Sequence, residues 1–226
     1  MASPENAEEV RYIKAMGQEL GEIFHAASSE LTWIHWRWRQ YRILFGEKPS
    51  RLDLVNEAAP FFFFVVHQVF FQDTLLAIAR LVGPSESLGK PNLSIERFRP
   101  LLPSNPQLRD EVSKLIDSAK ESATFALEWR NKHLAHRDLD LVLQRGQALL
   151  PATRGKVEES LSALRDVLNR IELEFCSSHT AYDSSRVLGD AKDLLYIIRE
   201  GLRCRHERAA ALKRGELSST DWAEPI

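Results

Sequence analysis

The sequence predicts an all-α protein, a bundle of about five long helices. Three observations carry that prediction. Apolar residues recur three and four apart through nearly every long segment, no stretch alternates as a convincing strand, and the Gly/Pro clusters fall between the periodic segments rather than inside them.

The first periodic segment runs from about Pro4 to Phe45, with Val10, Ile13, Leu20, Phe24, Leu31, Ile34, Trp38 and Tyr41 on its apolar stripe and an expected interruption at Ala26-Ala27-Ser28-Ser29. Gly46 and Pro49 stop it, and a short helix over Arg51 to Ala58 follows. Pro60 then opens a Phe-rich helix that ends at Gly83-Pro84. Its proline sits in a first turn, where the missing N–H costs little. This helix is apolar nearly all round, so it is expected to be central or covered by a second subunit. His67, Gln68, Gln72, Asp73 and Arg80 interrupt it, which argues for a buried core helix rather than a membrane span.

Residues 83–106 hold five of the ten prolines and form the longest connection. Within it Ser94 is placed to cap a short helix through Ile95 and Phe98. Asn105-Pro106 begins the next helix, with Val112, Leu115, Ile116, Ala119, Ala123, Ala126 and Leu127 on one face. Thr153 caps a helix to about Phe175, and a final helix is expected from Asp183 or Ser184 to about Leu212. The reading is one all-helical domain over 1–226: a core over about 60–175, outer helices at 4–45 and 184–212, and a flexible tail at 215–226.

A net charge of -2 gives the chain no overall field that would gather nucleic acid or an anionic membrane, so any anion must be held by a local cluster. Cys176 and Cys204 form no C-x-x-C pair, which fits a reducing compartment. The charged first twenty residues have no apolar leader core, and the cytoplasm is the expected location. There is no Gly-rich phosphate loop, no G-x-S-x-G and no dinucleotide fingerprint, so neither NTP hydrolysis nor hydride transfer has support.

The densest chemistry lies in EWRNKHLAHRD, Glu128 to Asp138. On an α-helix, at about 100° per residue, Arg130, His133 and His136 fall within an arc of about 120° and face one cleft. Arg supplies a permanently charged planar fork suited to phosphate, and His exchanges a proton near neutral pH. By itself the cluster has a plainer reading, because cations at a helix C-terminus also complement the macrodipole. A third reading is metal binding through His133, His136 and Asp138, with His67 or His35 from other helices, but that ligand set is incomplete.

The stretch Arg130-Asn131-Lys132-His133-Leu134-Ala135-His136 resembles the R-x(4–6)-H signature of the HEPN superfamily, with a polar residue directly after the Arg. RNKHLAHRD is similar to the abortive-infection, AbiU-like branch, as are LLAIARLVGP (Leu75 to Pro84) and GKPNLSIERF (Gly89 to Phe98). The likeness spans roughly residues 60–140. It implies a helical bundle that dimerises and brings two copies of the signature into one cleft, where active members cut RNA without a metal or other cofactor. Arg130 and His136 would be catalytic, with Asn131, His133 and Arg80 supporting or binding substrate. The biological setting implied is phage defence or toxin–antitoxin control, with an antitoxin or regulatory protein as partner. The same superfamily includes members that bind nucleotides or proteins and cut nothing, and between Glu128 and Arg145 four cations face three carboxylates.

Two other segments have double readings. In TWIHWRWRQYR, Arg37, Arg39 and Arg42 either contact phosphates beside stacking Trp33 or Trp36, or are solvated while Trp33 or Trp38 packs in the core. Asp73 and Arg80, seven apart on one face, either line the cleft of Arg130 or pair to other helices.

Overall fold

The computed structural model describes residues 4–102, 105–134, 143, 145, 149–184 and 188–216. They are all-α apart from one minimal hairpin. In chain order the elements are α1 (Pro4–Met16), α2 (Gln18–Tyr41), a π-helical turn (Arg42–Gly46), α3 (Pro49–Ala58) and α4 (Pro60–Leu81). The hairpin β1 (Glu86–Ser87) and β2 (Lys90–Pro91) follows, then a 3₁₀ turn (Ile95–Arg97) and α5 (Phe98–Leu101). The remainder is α6 (Pro106–Ser122), α7 (Thr124–Trp129), a second π-helical turn (Arg130–Leu134), α8 (Arg154–Cys176) and α9 (Ala191–Lys213). The expected flexible tail falls largely on residues outside the described ones.

The chain forms two compact units, one comprising Met1–Trp38 and Phe70–Ser185, the other Arg39–Val69 and Arg186–Ile226. In the first, α6 and α8 pack along each other. The helical period explains why: Leu108, Val112, Ile116 and Ala119 on α6 and Val157, Leu161, Leu164, Val167, Leu168 and Ile171 on α8 are all buried. Phe24, Leu31 and Ile34 of α2 and Leu75, Ile78 and Leu81 of α4 complete this core. One carboxylate is buried with them. Glu172 accepts from Arg11 (3.2 Å), Tyr12 Oη (3.4 Å), Ser178 Oγ (3.1 Å) and Thr180 Oγ1 (2.9 Å), which replaces its lost hydration. In the second unit α9 packs on α3 and on the first π turn.

Three N-caps read from the sequence are formed: Ser94 accepts from Glu96 N, Asn105 from Gln107 N, and Thr153 from Lys156 N. Elsewhere the breaks differ from expectation. The N-terminal helix is interrupted at Gly17, not at residues 26–29, because Gly17 takes φ +86° and its N–H closes α1 onto Ile13 O at 2.9 Å. The helix through 106–129 is broken at Ala123 (ψ 9°), where Ser160 Oγ takes the Ser122 carbonyl at 2.9 Å. The last helix starts at Ala191 rather than at 183–184, since Asp190 supplies the cap to Lys192 N at 2.8 Å. The hairpin is a short strand pair that the periodicity did not signal.

The Phe-rich helix is only half a core helix. From Thr74 to Leu81 it is largely buried in the first unit, but in the second unit Phe61 is 77 % exposed and Phe62, Phe64, Val65 and Val69 are exposed with it. With aromatics on every side of the helix, one packing partner cannot cover them all. By length and hydropathy alone it would suffice to cross a membrane. Its Asp73, however, is paired with Arg37.

Candidate functional site

Arg130 is the first residue of the second π turn, at the end of α7. A π turn closes its hydrogen bonds one residue later than an α turn, and such turns often mark functional sites. The α-helical spacing expected for Arg130, His133 and His136 therefore does not hold over Arg130–Leu134. His136 itself, with Ala135 and Asp138, lies outside the described residues.

The guanidinium of Arg130 is held from its own neighbour. Its Nε and Nη2 both donate to Asn131 Oδ1, at 3.0 and 2.9 Å. Its Nη1 points past Gly83, where a Cβ would stand 3.2 Å away. Arg80 at the end of α4 and Arg130 line one cleft of about 410 Å³, together with Glu30, Gly83, Ser87 and Asn92. Among the described residues neither arginine has a carboxylate partner, and Glu30 is engaged by Arg37 at 3.5 Å. Two planar, permanently charged forks on one concave surface, neither paired to a carboxylate among the described residues, suit an anionic oxygen cluster such as phosphate.

The loop that forms the opposite wall is braced internally. Ser94 Oγ donates to Gly83 O at 2.5 Å, and Asn92 Nδ2 donates to Pro84 O at 3.1 Å and Ser87 Oγ at 2.7 Å. Arg97 ties the same loop from below, donating to Asn92 O (2.7 Å) and Ser85 O (3.2 Å). These bonds fix the backbone beside Arg130, a rigid wall rather than a free loop. Sequence reading missed Gly83, Ser87 and Asn92 as wall residues, although the LVGP and KPNLSIERF segments were visible as features.

His133 is not among the residues lining this cleft. Its ring packs edge-to-face on Trp129, with centroids 5.4 Å apart, and Trp129 Nε1 donates to Leu150 O at 2.8 Å. Glu128 takes both Lys132 Nζ (2.8 Å) and Leu150 N (2.9 Å). The Lys132 contact, then the Leu150 amide, hold the Glu128 carboxyl below its ordinary range. Lys132 thus anchors the turn rather than facing a ligand.

Asp73 does not reach this cleft. Arg37 donates to its carboxylate, so within the pair read from the sequence only Arg80 lines the site. The Trp/Arg segment is occupied structurally: Trp38 is buried, Arg39 lies 3.9 Å from Asp190, and Arg42 lies 3.9 Å from Glu47. Trp33 is exposed and stacks edge-on against Trp36 at 5.1 Å. Among the described residues no group of three or more His, Cys, Asp or Glu is arranged to hold a metal ion.

A family model, HEPN_AbiU2 (AbiU2), matches residues 17–194, a span that takes in both arginines of the cleft and the whole RNKHLAHRD segment. No curated protein and no solved structure matches the chain.

Proposed function

The chain belongs to the HEPN AbiU2 family, and from that premise we propose that it is a metal-independent endoribonuclease acting in phage defence or as a toxin. The observation that carries this reading is the shared cleft of Arg80 and Arg130, two guanidinium groups without carboxylate partners among the described residues. In the proposed reaction the RNA 2′-OH attacks the adjacent phosphorus while His136 transfers the proton as general acid or base. Arg130 stabilises the added negative charge on the non-bridging oxygens, and Asn131 keeps its fork in register through the two hydrogen bonds it accepts. The P–O5′ bond breaks as the leaving oxygen is protonated, giving a 2′,3′-cyclic phosphate and a 5′-OH. Arg80 binds a neighbouring phosphate, and His133 supports the turn from its place on Trp129.

The reading includes a cytoplasmic homodimer and a regulatory partner such as an antitoxin. The exposed Phe61, Phe62, Phe64 and Val65 of α4 form the kind of contiguous apolar face that a second copy covers.

The test is incubation of the purified protein with total RNA in EDTA, beside Arg130→Ala and His136→Ala. Cleavage by the wild type that falls by roughly two orders of magnitude or more in each variant is expected. Cleavage that survives both substitutions overturns the assignment.

A second reading is a non-catalytic module that uses the same cleft to bind a nucleotide. The near balance of charge around the motif and the presence of Glu30 in the cleft favour it. Nucleotide binding that depends on Arg130, with no cleavage of RNA under any condition, would select it.

A further inference from the structure

The second unit has a basic groove of its own. Where α9 packs on α3, a cavity of about 430 Å³ is lined by Lys48, Ser50, Arg51, Lys192, Tyr196 and Arg199, and no described carboxylate lines it. The neighbouring acids are each engaged, two of them by cations of the groove itself. Glu47 pairs with Arg51 at 2.7 Å, Glu200 lies 3.9 Å from Arg199 and 2.8 Å from Arg203, Asp190 caps Lys192 N at 2.8 Å, and Asp193 accepts from Gly189 N at 3.0 Å. Lys48 and Lys192 have no partner for their ammonium groups among the described residues.

Two of the four cations are preorganised. Arg51 is fixed by donating to Ile43 O at 3.0 Å, and the Arg199 guanidinium lies over the Tyr196 ring, 4.8 Å from its centroid. Arg51 and Arg199 have carboxylate neighbours in Glu47 and Glu200, so the charges left for an anion to join are the Lys48 and Lys192 ammonium groups on the same concavity, which have no such partner among the described residues. The start of α3 adds to the same field: Pro49 occupies its first turn and Lys48, its N-cap, offers no side-chain acceptor. The cavity is of small-ligand size. An overall charge of -2 gives no extended field for a long polyanion.

We propose that this groove is a binding site for a condensed phosphate group, held between Lys48 and Lys192 with Arg51 behind them. The exposed ring of Tyr196 offers a stacking surface if the phosphate is carried by a nucleotide. The site stands independently of the ribonuclease reading, since it shares no residue with the cleft of Arg80 and Arg130.

Calorimetric titration with ADP, inorganic pyrophosphate and adenosine tests it, on the wild type and on Lys48→Ala/Lys192→Ala. Both lysines are exposed, so the double variant is expected to melt like the wild type. The expected result is binding of ADP or pyrophosphate, none of adenosine alone, and a loss of roughly tenfold or more in the double variant. ADP tighter than pyrophosphate, with the excess removed by Tyr196→Ala, identifies a nucleotide as the source; equal affinity identifies the bare diphosphate. Arg130→Ala is expected to leave this binding unchanged. Three results overturn the proposal: no binding of either anion at millimolar concentration, binding indifferent to the double substitution, or a short single-stranded RNA that needs both lysines while neither small anion binds.

Discussion

Gly83 and Arg130 are in such close approach that a Cβ on Gly83 would lie 3.2 Å from Arg130 Nη1 and 2.9 Å from Ala79 O. The backbone that ends α4 therefore sets where the guanidinium can lie. A side chain at position 83 pushes against a carbonyl of its own helix on one side and the charged fork on the other. Gly83→Ala is expected to cost roughly 1–3 kcal/mol, as overpacking does. Under the proposed function it should also lower RNA cleavage by more than the loss of folded protein explains. Urea denaturation and cleavage per folded molecule measure the two parts; a variant with wild-type stability and activity would show that the approach does not matter.

Glu172 is the second point of leverage. Four side chains donate to it, and removing the acceptor leaves the buried Tyr12 and its neighbours unpaired. Glu172→Ala is expected to destabilise the protein by about 2–4 kcal/mol. Glu172→Gln should recover part of that, since one amide oxygen can still accept. Denaturant titration decides it, and a change under half a kilocalorie in the Ala variant would contradict the burial argument.

His35 makes stability depend on acidity. Burial against Tyr182 holds its pKa down at about 4, against an ordinary 6.5. Between those values the unfolded chain takes up a proton that the folded chain refuses. This group therefore costs no stability above pH 6.5, removes it progressively as pH falls from 6.5 toward 4, and has no further effect below. The loss is expected to be of the order of 1–3 kcal/mol. His35→Phe keeps an aromatic ring on Tyr182 without a titrating group, so it should flatten that part of the profile. Unfolding free energies at a series of pH values for both proteins measure the difference; parallel curves would rule it out.

The exposed face of α4 predicts association. Sedimentation is expected to give a dimer for the wild type and a monomer for Phe61→Glu/Phe64→Glu, with an unchanged helical circular-dichroism signal because both rings are exposed in the single protomer, and a lower melting temperature because the stabilising association is lost. A wild-type monomer at tens of micromolar, or a double variant that stays dimeric, would remove this face from the proposed interface.

Much of the helical layout was legible along the chain because helix formation is largely local: the period of apolar residues and the caps at Ser94, Asn105 and Thr153 all act within one or two turns. The same holds for Arg130 as a candidate, since its polar neighbour and its place at a helix end are sequence features. Tertiary structure decided what those elements face. Arg80 and Arg130 meet in one cleft only because the end of α4, the hairpin loop and α7 converge there, and Asp73, expected on the same helical face as Arg80, pairs instead with Arg37. Lys48 and Lys192 are brought together by the packing of α3 on α9. The π turn at Arg130–Leu134 and the uncovered aromatics of α4 had no local signal either. A periodic pattern states which residues can share a face, whereas the partner of that face is set by packing between segments distant in the chain.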